Sequence, residues 1–280
     1  MDKFKIDDLE QRKMEKNFFL DMKFDVEEVL KILMKWENDF NFQLWTKSDE
    51  EYEHNVGVVE IDANKCSEIS VLLRGMRPSF VGPAYNFNKY VDAYLGDVYW
   101  DDIKYTIEED AWISSSLREA MIIMELQNCL LSIKMGLDRM VKLIAQYYKG
   151  IAPYSTFGHI DIKEDGTEKG KGLMSLVLNN REKDVLLELI YSEYNDWIQQ
   201  CVKPRDSITH YQDFCSTYFF DAERGVDYPI HLNEKKNEPT NMSIVSIFEY
   251  VDKYYVFFNK VLEILIKKEK NRAGIGNIVK

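Results

Sequence analysis

Apolar residues recur every three or four positions in several long stretches of the chain, which is the spacing of amphipathic α-helices. The clearest stretch begins at Ser243, and another lies near residues 180–202. A third, from Ile107 to Tyr148, carries a broad face of leucine and methionine, and we interpret the methionines as core packing. A fourth helix is predicted after Asp25, a suitable N-cap residue. The pattern therefore predicts an all-α protein.

Glycine, proline and clustered polar residues mark the places where these helices should end. Several glycines and prolines between Cys66 and Trp100 predict short helices joined by turns. Ser116 and Glu119 have capping-box spacing, so the long helical region is expected to be two helices or one kinked helix. Minor β structure is predicted for a strand at 54–62, a hairpin around Asp165-Gly166, and strands in STYFF and YPIHL.

Charge and hydropathy narrow the expected setting of the protein. The chain has 280 residues, a net charge of −12 and a pI near 5.0. This acidity argues against a broad nucleic-acid-binding surface, although it leaves room for a small basic cleft. An apolar run of about 18 residues is lacking, and the charged N-terminus has no apolar core of a signal peptide. We therefore expect a cytoplasmic protein that makes no membrane contact.

One short motif, Arg205-Asp206-Ser-Ile-Thr-His210, points to chemistry. If the segment is helical from Pro204, Asp206 and His210 are i, i+4 neighbours on one face. The carboxylate can then fix the tautomer of the imidazole and leave its other nitrogen free for proton transfer. The planar guanidinium of Arg205 suits a phosphate oxygen. These groups are sufficient for metal-independent RNA cleavage by the adjacent 2′-hydroxyl.

The motif resembles the Arg-(four to six residues)-His motif of the HEPN superfamily, in which Asn, Asp or His often follows the arginine. The order of long helix, break, motif and final long helix is also similar, over about residues 107–270. The resemblance implies a metal-independent endoribonuclease of a toxin–antitoxin, phage-defence or RNA-processing system, with no cofactor. It also implies a homodimer with a composite site and a neutralising antitoxin or other protein partner. The alternative is a non-catalytic HEPN-like module for protein–protein interaction.

The expected organisation has three parts, of which the first hundred residues have no counterpart in this resemblance. Residues 1–105 are expected to form an N-terminal helical or irregular extension packed on the core, and residues 106–270 a HEPN-like helical bundle with minor β-hairpin insertions. Residues 271–280 form a basic tail. The expected catalytic residues are Arg205, His210 and Asp206, with no metal and no cofactor-binding residue.

Other interpretations of the same residues stay open. Arg205 and His210 can simply pair with local acids such as Asp206 and Asp213. A second Arg-to-His spacing, Arg224 to His231, contains Gly225 and Pro229, and we treat it as accidental. The segment GTEKGKG lacks the spacing of a Walker phosphate loop.

The cysteines and histidines offer a metal interpretation. Four residues of types that bind zinc lie within a short stretch: Cys201, His210, Cys215 and His231. Because no pair has the short spacing of a zinc knuckle, we predict no metal site. With Cys66 and Cys129 also outside any C-x-x-C pair, all four cysteines are expected to be reduced and mostly buried.

Overall fold

The computed structural model of the chain describes residues 17–40, 63–98, 109–152, 154–202, 214–216, 230–232 and 244–272. At 63–67, 96–98, 109–119, 214–216, 230–232 and 270–272 it describes the backbone alone. The predicted strand at 54–62 and the residues of the basic tail beyond Arg272 lie outside these ranges.

The described part of the chain is mostly helical, which confirms the all-α prediction. Its helices are α1 (Val26–Asp39), α2 (Ala63–Gly75), α3 (Arg77–Val98), α4 (Glu109–Ile144), α5 (Leu173–Asn180), α6 (Val185–Glu193) and α7 (Ile244–Arg272). Residues 17–21 add a short helical turn. A 3₁₀ turn (Arg181–Lys183) joins α5 to α6, and α6 continues through a π-helical turn (Tyr194–Ile198) into helical residues 199–202.

In the described ranges, two short antiparallel strand pairs lie between the helices. The first joins β1 (Ile160–Ile162) to β2 (Glu168–Gly170), and it confirms the predicted hairpin. Its turn contains Gly166 at a φ of 79°, a conformation that glycine adopts without strain. The second pair joins β3 (Phe214–Ser216) to β4 (Ile230–Leu232). The strand β4 covers residues 230–232 of the predicted segment YPIHL, and β3 ends on Ser216, the first residue of STYFF; the other residues of both predicted segments lie outside the described ranges.

The prediction of short helices between Cys66 and Trp100 is wrong for α3, which continues for 22 residues with Pro83 inside it. Pro78 lies in the first turn of α3, where proline is tolerated because the N–H groups there have no intrahelical acceptor. An ideal Cβ on Gly82 would lie 3.1 Å from Cβ of Ser132, so glycine permits close packing against α4. Gly82 therefore serves helix packing, and neither Gly82 nor Pro83 ends the helix.

Of the two alternatives predicted near Ser116 and Glu119, that of two separate helices is wrong, because α4 is one helix of 36 residues. The interpretation of its methionines needs a correction as well. Met140 is fully buried, but Met121, Met124 and Met135 are about half exposed, at 45%, 48% and 51%. The core face of α4 is instead made by Leu126, Cys129, Leu130, Ile133, Leu137 and Val141, all fully buried.

The chain divides into two compact units, and four of the described helices, α1, α3, α4 and α7, contribute residues to both. The first unit comprises Met1–Val26, Gly82–Ile133 and Gln200–Asp252. In it, the Asn88 side chain accepts a hydrogen bond from the amide of Phe24 and donates one to its carbonyl, both at 2.9 Å. The Phe24 ring stacks on Phe248, with ring centroids 5.0 Å apart, and packs edge-on against Phe87. These contacts fix the segment that precedes α1.

The second unit comprises Glu27–Val81, Lys134–Gln199 and Lys253–Lys280. Within it, the buried carboxylate of Glu37 accepts two hydrogen bonds from Arg77, at 2.7 and 2.5 Å. Trp36 Nε1 donates to Asn259 Oδ1 at 2.7 Å, and the Tyr255 hydroxyl donates to the Phe80 carbonyl at 2.9 Å. The α1 helix and the start of α3 are thereby bound to α7.

The predicted final helix is confirmed by α7, whose apolar stripe lies in the core. Ile244, Ile247, Val251, Tyr254, Phe258, Val261, Leu262 and Leu265 are all buried. Among the described helices, one stretch, Ala120–Ile144, is long and apolar enough to cross a membrane by length and composition, with a mean hydropathy of 1.3. Half of the most apolar part of this stretch is buried inside the protein. The core helix of a soluble protein can have the same length and apolar composition.

Candidate functional site

The predicted catalytic residues Arg205, Asp206 and His210 lie outside the described residues, in the segment 203–213. The structure therefore does not bring them together or separate them. It does describe the helical segment that leads to them, from Asp184 to Val202, and the helix α7 that follows. Those elements form the described surroundings of the motif.

The segment begins at Asp184, which caps α6. Its Oδ1 accepts hydrogen bonds from the amides of Leu186, at 2.9 Å, and Leu187, at 3.2 Å. The Tyr148 hydroxyl donates to the same oxygen at 2.7 Å, and Lys268 Nζ lies 2.6 Å from Oδ2. One carboxylate thus joins the segment that follows α4, the start of α6 and the last turns of α7.

The protonation states of Asp184 and Tyr148 depend on each other and on their surroundings. Burial raises the pKa of the Asp184 carboxyl, but the hydrogen bonds from Lys268, Tyr148 and the Leu187 amide, together with the charge of Lys268, hold that pKa below its ordinary value. Burial, together with the hydrogen bond to Asp184, raises the pKa of the Tyr148 hydroxyl well above its ordinary value. Asp184 is therefore a carboxylate and Tyr148 a neutral donor at neutral pH.

The π-helical turn lies midway along the segment. The Gln199 amide bonds to the Tyr194 carbonyl, five residues earlier, in place of the usual four. The fully buried Trp197 donates its Nε1 proton to Glu193 Oε2 at 2.8 Å, and the Tyr194 hydroxyl accepts the amide of Ile160 at 2.9 Å. The turn is thereby held to α6 on one side and to the β1–β2 hairpin on the other.

Ion pairs fix the direction of this segment against α7. Lys260 Nζ lies 2.9 Å from Glu193 Oε1, and Lys253 Nζ lies 2.7 Å from Asp196 Oδ2. Residue numbers rise along one partner as they fall along the other, so the two helices are antiparallel. In the first unit, the Tyr250 hydroxyl donates to Gln200 Oε1 at 3.3 Å. The chain therefore reaches the motif from a helix end that lies beside the early turns of α7.

The helix end is anchored by apolar contacts as well. Cys201 is fully buried, and Val202 is 6% exposed. Burial raises the pKa of the Cys201 thiol, which keeps it protonated and therefore a poor zinc ligand. Both Cys129 and Cys201 are free and buried, as predicted for reduced cysteines.

The other residues of the metal interpretation are only partly placed. The register of β3 and β4 makes Cys215 and His231 cross-strand partners, whereas His210 lies in the undescribed segment. Across the part of the chain that the structure describes, no group of three or more His, Cys, Asp or Glu residues is arranged to hold a metal ion.

The glycine-rich segment before α5 is not arranged as a phosphate loop. The amides of Leu173 and Met174, at the start of α5, donate to the backbone carbonyls of Thr156 and Phe157, at 3.0 and 3.3 Å. An ideal Cβ on Gly172 would lie 2.4 Å from the Thr156 carbonyl oxygen, so this glycine permits close backbone packing. The helix N-terminus is therefore bound within the protein and does not present free donors to an anion.

The sequence did not reveal the Asp184 cluster, because its members lie far apart along the chain. A usable signal was present, since an aspartate just before an apolar helical run is a frequent N-cap. Tyr148 and Lys268 carry no comparable signal, because their role depends on how the helices pack.

Comparisons with protein-family models, with curated proteins and with solved structures gave no match to this chain. The resemblance to the HEPN superfamily therefore rests on the motif and on the order of helices.

Proposed function

We propose that the chain is a metal-independent endoribonuclease of the HEPN type, in which Arg205, Asp206 and His210 carry the reaction. The observation that carries the proposal is the motif itself, Arg-Asp-x-x-x-His, directly after a helix with a buried end and before the long helix α7. A toxin–antitoxin, phage-defence or RNA-processing system is the proposed setting, in the cytoplasm.

The proposed reaction is an internal transfer within the RNA. His210 takes the proton of a ribose 2′-hydroxyl as its oxygen attacks the neighbouring phosphorus. Arg205 binds the phosphate oxygens and stabilises the charge of the pentacovalent transition state. The bond from phosphorus to the 5′-oxygen breaks, and that oxygen takes a proton from solvent. The products carry a 2′,3′-cyclic phosphate and a 5′-hydroxyl. Asp206 orients the imidazole of His210.

A homodimer with two facing motifs is part of the proposal. The buried stripe of α7 is packed within the chain, so the interface has to use the opposite face of that helix. Val245 and Val256 are exposed there, at 37% and 45%, among charged residues. Because they are eleven positions apart, or about three helical turns, they lie on one side of α7.

Cleavage of a labelled single-stranded RNA by purified protein tests the mechanism. His210→Ala and Arg205→Ala should each lower the rate by about 10²- to 10⁴-fold, the usual contribution of a positioned acid–base group. Asp206→Asn should lower it less, since an amide still orients the ring but lacks the charge that favours the imidazolium. Cleavage should persist in EDTA, and the product ends should be 2′,3′-cyclic phosphates.

Two matched controls separate the motif from other residues of the same type. Arg224→Ala alters the arginine of the second Arg-to-His spacing, and His159→Ala removes a partly exposed histidine just before β1. Both variants should cleave at the wild-type rate. Loss of cleavage in EDTA, or a wild-type rate for His210→Ala, would show that the mechanism is wrong.

A second candidate function is a non-catalytic helical module that binds a protein partner. The net charge of −12 favours it, because acidic surfaces repel the phosphate backbone. The half-exposed Met121 and Met124 on α4 also favour it, since methionines adapt well to protein surfaces. Wild-type protein that cleaves no RNA, yet binds a partner less tightly after Met121→Lys and Met124→Lys, would support this function over the nuclease.

A further inference from the structure

We draw no further inference here: the strongest candidate, the apolar surface patch at the half-exposed Met121 and Met124 on the helix Glu109–Ile144, carries nothing because nothing in the described part of the chain shows what covers it.

Discussion

Replacing Asp184 with alanine should destabilise the protein more than replacing any exposed carboxylate. The substitution removes the acceptor of two α6 amides, of the Tyr148 hydroxyl and of the Lys268 ammonium. It leaves the partly buried Tyr148 and Lys268 without their common partner. Because these groups come from α6, from α7 and from the segment that follows α4, the loss affects packing as well as the helix cap.

The size of the effect follows from the separate contacts. Loss of an N-cap costs about 1 kcal/mol, and a hydrogen bond to a charged group contributes about 1.5–3 kcal/mol. The Asp184 side chain is 22% exposed, so solvent screens the ion pair with Lys268 only in part. We expect a total loss of about 3 kcal/mol, which corresponds to a fall in Tm of roughly 6–12 °C for a chain of this size.

A short series of variants separates the contributions. Asp184→Ser keeps a capping oxygen but removes the charge, so its Tm should lie between those of wild type and Asp184→Ala. Asp161→Ala is the matched control, because Asp161 is an exposed carboxylate that pairs with Lys171 and His159 on the hairpin surface. Its Tm should stay within a few degrees of wild type. Thermal melts followed by circular dichroism measure all three.

The contribution of Asp184 to stability should fall in acid. The folded-state pKa of Asp184 is depressed, so its contribution to stability is present above the unfolded-state pKa, about 3.9. That contribution is lost as pH falls through the folded-state pKa. The Tm difference between wild type and Asp184→Ser should therefore be constant near neutral pH and shrink below about pH 4. An unchanged Tm for Asp184→Ala, or a difference that grows in acid, would refute this account.

Three further predictions concern packing, thiol chemistry and assembly. Gly136→Ala should lower the free energy of unfolding by about 2–3 kcal/mol, because its Cβ would lie 2.0 Å from the hydroxyl oxygen of the fully buried Tyr254. Gly75→Ala is the control, because no atom lies within 4 Å of its added Cβ, and it should leave the free energy of unfolding unchanged. Cys129 and Cys201 should resist alkylation by iodoacetamide at pH 8 until the protein is denatured, because burial raises the pKa of both thiols. Detection of either alkylated cysteine in native protein by mass spectrometry would contradict this prediction. Light scattering at micromolar concentration should give the mass of a dimer, and a strict monomer would remove the composite-site model.

The sequence predicts those elements whose signal is local. The helices α1 and α7 show apolar residues at helical spacing, and the β1–β2 hairpin has an Asp-Gly turn. These were confirmed because nothing elsewhere in the chain overrides the local preference. The residues of the motif are likewise readable from sequence, but their arrangement in space stays a prediction.

The elements that the sequence misses depend on tertiary contacts. Gly82 and Pro83 look like helix breakers, yet they lie inside α3, where Gly82 gives room for Ser132 and the Pro83 carbonyl faces the Cys129 thiol at 3.8 Å. The helix α4 continues through Ser116 and Glu119 despite their capping-box spacing, because the turn that follows also has a buried side. Met121 and Met124 illustrate the converse, because apolar character alone does not decide which face of α4 is buried.

The last prediction separates a catalytic histidine from a structural one. The helix that leads to the motif is held by contacts that do not involve it: Trp197 with Glu193, Glu193 with Lys260, and the buried Cys201. Removing the imidazole of His210 should therefore change the free energy of unfolding by no more than about 0.5 kcal/mol, as at an ordinary surface position. RNA cleavage should fall in the same preparation. If His210→Ala instead lowers Tm as far as Asp184→Ala does, the histidine belongs to the scaffold and its proposed role in proton transfer is wrong.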